Sequence, residues 1–160
     1  MKKLAILSSL LLLVLSTQAA LPDSATYTGY LKLSPAYKGQ DSIAMSLSVK
    51  RQNDSTWSWN SQFAGGMAKN YTLIQHSDGS FTMDENNGIL LNGVFAESLL
   101  TFTYYVDETL YQLVYNFSDT EKQVSYSLFF GQETTAKEAD GFRVRPFVVL
   151  GKQYGTFIRQ

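Results

Sequence analysis

The stretch LLTFTYYVDETLYQLVYNFSDTEKQVSYSLFF, residues 99–130, decides the fold. Leu100, Phe102, Tyr104 and Val106 alternate with Thr101, Thr103 and Tyr105. Tyr111, Leu113, Tyr115 and Phe117 are interleaved with Gln112 and Asn116, and Val124, Tyr126, Leu128 and Phe130 with Gln123, Ser125 and Ser127. A period of two sends neighbouring side chains to opposite faces, which is a half-buried β-strand and not a helix. Asp107-Glu108 and Ser118-Asp119 break the runs with polar turn residues. The stretch therefore predicts three antiparallel strands joined by short turns.

The same texture extends outward on the N-terminal side. Ile43, Met45, Leu47 and Val49 alternate with small or polar residues, and Trp57, Trp59 and Phe63 share a face opposite Ser58, Asn60 and Gln62. Gln52-Asn53-Asp54-Ser55 is a polar break, and Asp78-Gly79 and Asn87-Gly88 are hairpin turns that accept positive φ. The expected strands are 25–33, 42–51, 56–63, 70–76, 80–85, 88–95, 98–106, 109–117, 122–130, 142–150 and 153–159. Residues 132–140 could equally form a short helix or a solvated loop. Strands connected by short hairpins pair in sequence. The expected fold is all-β, an antiparallel up-and-down meander of about 8–10 strands closed into a barrel, because closure removes exposed edges. A β-sandwich is the alternative.

The first 19 residues stand apart. Lys2 and Lys3 precede an apolar run from Leu4 to Leu15, and Thr17-Gln18-Ala19 supplies small residues for a peptidase. This is the layout of a secretory signal peptide, and the run is too short to span a membrane as a helix. The expectation is a mature domain of residues 20–160, periplasmic or secreted. That domain holds 11 basic and 14 acidic residues once Lys2 and Lys3 are removed, a net charge of −3. It has no basic stripe for nucleic acid. With no cysteine in the chain, disulfides and thiolate metal sites are excluded.

Export, size and meander together resemble the lipocalins and other calycin-type barrels. Tyr27-Thr28-Gly29-Tyr30-Leu31 sits where lipocalins carry a Gly-x-Trp motif, without the Trp. The resemblance implies a cup that binds a small hydrophobic or amphipathic ligand.

No motif points to chemistry. His76 is the single histidine, lies next to Ser77-Asp78-Gly79 at a hairpin, and no Gly-x-Ser-x-Gly accompanies it, so it reads as an exposed turn histidine. Asp84 to Gly88 misplaces both the Gly and the terminal Glu of a calcium loop. No enzyme, cofactor or metal is expected. Arg143 and Arg145 share a strand face that is expected to point outward. Counting strands places the loops 34–41, 64–69 and 131–141 at one end, with tight turns such as Asp78-Gly79 and Gly151-Lys152 at the other. A mouth at the long-loop end would be rimmed by Phe63, Met67, Tyr71, Tyr104, Tyr111, Phe130 and Phe142, the candidate ligand-binding residues. An outer-membrane barrel is the alternative reading, the only one in which the membrane is a partner. A surface-acting structural or inhibitory module is a further alternative.

Overall fold

The computed structural model describes residues 20–160. The signal-peptide layout lies outside the described residues. Twelve strands follow in order: β1 (Ser24–Tyr37), β2 (Gln40–Asn53), β3 (Thr56–Phe63), β4 (Ala68–Gln75), β5 (Ser80–Asp84), β6 (Leu90–Ala96), β7 (Leu99–Val106), β8 (Thr109–Asp119), β9 (Gln123–Glu133), β10 (Lys137–Ala139), β11 (Phe142–Val144) and β12 (Phe147–Arg159). Ten of them form a closed antiparallel barrel in which every strand from β1 to β8 pairs with the next, and β12 joins β9 to β1. β10 and β11 make a separate hairpin.

The alternation in the sequence decides which face is inside. Leu100, Phe102, Leu113, Tyr115, Phe117 and Val124 point into the barrel, with Tyr27, Leu47, Trp59 and Phe157 from other strands. Trp59 is fully buried, edge-on to Tyr115 at 4.8 Å and to Phe117 at 5.8 Å. The intervening residues face outward and are mostly polar: Ser48, Ser58, Asn60 and Asn92, then Thr103, Gln112, Asn116 and Ser125. Apolar inside and polar outside is the reverse of a lipid-facing barrel wall.

The turns after β1, β3, β5, β7 and β9 fall at one end, called here the upper end. Those after β2, β4, β6 and β8 fall at the lower end, together with Ser24 and Arg159. The lower end is stitched shut. Leu21 packs against the core, and Arg51 holds the segment before β1 through a 3.2 Å contact with Asp23 while its guanidinium sits over the Trp57 ring. Arg159 meets Glu121 at 2.8 Å and donates to the Thr120 carbonyl, which also accepts from the Tyr27 hydroxyl.

Three expectations are corrected. Strands 142–150 and 153–159 are not separate elements: β12 runs through Gly151-Lys152 without a turn, and the register slips there by a bulge between Val149 and Gly151. Glycine at 151 permits this, because a Cβ would press on the Phe130 ring at 2.6 Å. Residues 132–140 contain no helix; β9 continues to Glu133, and Lys137–Ala139 pairs with Phe142–Val144 around the positive-φ Asp140-Gly141 turn. The 34–41 loop is mostly strand, since β1 and β2 extend to a tight turn at Lys38-Gly39.

Candidate functional site

At the upper end the packing loosens. Between the prolonged β1–β2 hairpin, the β3–β4 turn, β9 and β12 lies an apolar cleft of 510 Å³. Leu31, Leu33, Pro35, Ile43, Phe63, Met67 and Phe130 form most of its wall, and Lys152 and Gln153 stand at one side. Strand parity explains the wall. Leu31 and Leu33 continue the inward row of Tyr27, and Ile43 continues that of Met45 and Leu47.

Beneath the cleft lies a second cavity of 130 Å³, inside the barrel. Phe63 lines both. The inner cavity is bounded by Tyr71, Tyr104, Tyr115 and Tyr126, with Ser61, Lys69 and Glu85 among its polar groups. Burial pushes the Tyr71 phenol up to about 12, and the nearby Glu85 carboxylate adds to the effect. Burial also raises Tyr104, Tyr115 and Tyr126, chiefly by removing water from the phenolate form. At neutral pH these hydroxyls are neutral hydrogen-bonding groups and not bases.

A titration follows from this. A phenol whose folded value lies above its unfolded value of 10 favours the folded state while protonated. That contribution is complete below pH 10 and is lost as the pH rises towards 12. Tyrosinate absorbance from this cluster should therefore appear late and together with loss of β circular dichroism. Early, reversible ionisation of every tyrosine with the fold intact would contradict the buried cluster.

The candidate residues from the sequence fall into three groups. Phe63, Met67 and Phe130 line the cleft, while Tyr71 and Tyr104 line the inner cavity with Phe63. Tyr111 links the two walls, stacked between Tyr104 at 5.4 Å and Phe130 at 5.6 Å. Phe142 stands apart, on the β10–β11 hairpin and 72% exposed, away from both cavities. Arg143 and Arg145 are exposed, and Arg145 pairs with Glu133. His76 is exposed in its turn and shares a hydrogen bond with Thr82 at 2.8 Å.

Sequence reasoning passed over Lys69 and Glu85, although parity could have found them: Lys69 shares a face with Tyr71 and Leu73, and Glu85 with Phe81 and Met83. It also passes over Pro35 and Tyr37, which fall in the expected loop 34–41. Among the described residues, no cluster of three or more His, Asp or Glu is arranged to hold a metal ion.

Three other depressions match the cleft in volume. The lower-end one, 590 Å³, is lined by Asp23, Arg51 and Gln75 beside Trp57 and Phe81, so its charged groups are already engaged with each other or with the ring. The other two, of 600 and 640 Å³, lie on the outer wall beside Ala44 and under the β10–β11 hairpin. Fold and cavities together define a closed antiparallel barrel with a charged depression at the lower end and an apolar opening at the upper end. No protein-family model matches the chain, and no curated protein or solved structure is significantly similar to it.

Proposed function

We propose that this protein is an exported carrier or sensor barrel that binds a small hydrophobic or amphipathic molecule at its upper end, without catalysis. The observation that carries the reading is the apolar cleft with a tyrosine-lined cavity beside it, the two sharing Phe63 as a wall. Ligand sites are concave and mostly apolar, with a few convergent polar groups that fix orientation. The cleft would take the apolar body of the ligand. The inner cavity is smaller, with room for roughly four waters at about 30 Å³ each. It suits a polar end group such as a hydroxyl, amide or carboxyl, met by the tyrosine hydroxyls, Ser61 and Lys69. The lipocalin-like reading rests on this architecture and on the sequence pattern. The polar outer wall supports an aqueous setting over an outer-membrane barrel, and the signal layout of residues 1–19 supports export.

A fluorescent apolar probe such as N-phenyl-1-naphthylamine tests the site. It should bind the mature chain with micromolar affinity, and Phe130→Ala or Phe63→Ala should weaken it about ten-fold, the loss of roughly half of an aromatic side chain's burial. Trp57→Ala, at the lower end, should reduce stability and leave the affinity unchanged. Absence of probe binding to the unmodified protein would sink the reading.

A further inference from the structure

The two ends of the barrel differ in a way that ligand binding alone does not require. Every upper turn presents a large apolar side chain to solvent: Tyr37 (64% exposed) after β1, Met67 (53%) after β3, Ile89 (50%) after β5, Val106 (51%) after β7 and Phe142 (72%) on the β10–β11 hairpin. The lower turns, at residues 54–55, 76–79, 97–98 and 120–122, present one between them, Leu99 (37% exposed) directly after 97–98; Ile158 lies on the barrel wall. Scattered surface apolar residues are ordinary. One at each of five successive turns around a single rim, against a single less exposed one at the four opposite turns, is a directed surface.

From this asymmetry we propose that the upper rim docks on a lipid surface of zwitterionic headgroups, mouth downward, so that the cleft opens onto the acyl region. Three observations select this occupant. The tips come from five separate turns around an opening, which suits shallow insertion into a fluid phase, and Tyr37 and Phe142 are residue types that settle at membrane interfaces. The same turns carry charges of both signs in near balance, Lys38 near Asp41, Lys69 near Glu85, and Lys137, Arg143 and Arg145 with Glu138 and Asp140 on or just after the β10–β11 hairpin, while the β7–β8 turn adds Asp107 and Glu108. Headgroups bearing both signs complement such a balanced rim, whereas a purely anionic surface would meet acidic and basic groups alike and gain nothing from them. Finally, Tyr37 and Met67 belong both to the rim and to the cleft wall, so the exposed apolar surface is continuous with the proposed site. Orientation and release of ligand rest on the reading above; docking itself does not.

Flotation of the mature chain with phosphatidylcholine–phosphatidylethanolamine vesicles tests the proposal. The protein should co-float, equally at low and high salt, and no better with vesicles enriched in phosphatidylglycerol. The triple variant Ile89→Ser, Val106→Ser, Phe142→Ser removes three tips that do not line the cleft. Its vesicle affinity should fall on the order of ten-fold or more, since each tip contributes apolar burial, while naphthylamine binding stays unchanged. Ile158→Ser, equally exposed on the wall, should leave flotation intact. Failure of the unmodified protein to float, undiminished flotation of the triple variant, or binding only to anionic vesicles that salt abolishes would each overturn the proposal. Flotation without naphthylamine binding would overturn the ligand reading instead and leave docking standing.

Discussion

Phe102→Ala should lower the unfolding free energy by about 3–5 kcal/mol, whereas Thr103→Ala should change it by under about 0.5 kcal/mol. The contrast comes from one residue of register. Phe102 is fully buried, and its ring lies over Gly93 on the neighbouring strand, where an added Cβ would stand 2.5 Å from two ring carbons. Thr103 is exposed on the outer wall. The glycine and the ring are complementary halves of one contact. Gly93→Ala should therefore overpack the site, at a cost of about 1–3 kcal/mol, and Phe102→Leu in the same chain should relieve part of that cost. Urea denaturation of the four variants as a double-mutant cycle measures the coupling. Equal losses at Phe102 and Thr103, or strict additivity of Gly93 and Phe102, would break the account of the interior.

The second large effect is expected at the seam that closes the barrel. β1 and β12 pair from Tyr27 opposite Arg159 to Ser34 opposite Lys152. Gly29 and Gly155 lie on this seam, and a Cβ on either would press on a backbone carbonyl of the opposite strand, that of Thr156 or of Tyr30, and on the Phe157 ring. A carbonyl in a paired strand cannot step aside as a flexible side chain can. Gly155→Val should cost at least about 3 kcal/mol, the upper part of the overpacking range, and should speed amide exchange at β1 and β12 before the β7–β8 hairpin. Uniform acceleration, or none, would show that closure does not depend on this approach.

How much of this was legible beforehand follows from the same physics. The alternation in residues 99–130 correctly assigns the faces of β7, β8 and β9, because period two survives wherever one face is buried. Asp78-Gly79 likewise marks a real lower-end turn. The Gly151-Lys152 break misled because glycine followed by lysine reads as a turn. In the structure the glycine instead makes room for Phe130 within a continuous strand, and only the β9 partner reveals that. Residues 34–41 read as a loop because Ser34, Pro35 and Gly39 interrupt the alternation, yet β1 and β2 extend past the barrel proper. That extension builds the cleft, so its Pro35 and Tyr37 wall was hidden from a reading by parity. Phe142 was assigned to the rim of the site by the spurious strand 142–150; the hairpin carries it outward.

The claim at the centre of the account is that the upper cleft, and not the comparable lower-end pocket, receives an apolar ligand. The most direct measurement is an NMR titration of isotope-labelled residues 20–160 with N-phenyl-1-naphthylamine. The account predicts shift changes concentrated at Leu33, Ile43, Phe63, Met67 and Phe130, extending weakly to Tyr71 and Tyr104. Changes centred instead on Leu21, Trp57, Phe81 and Phe95, or a spectrum that does not respond, would contradict it.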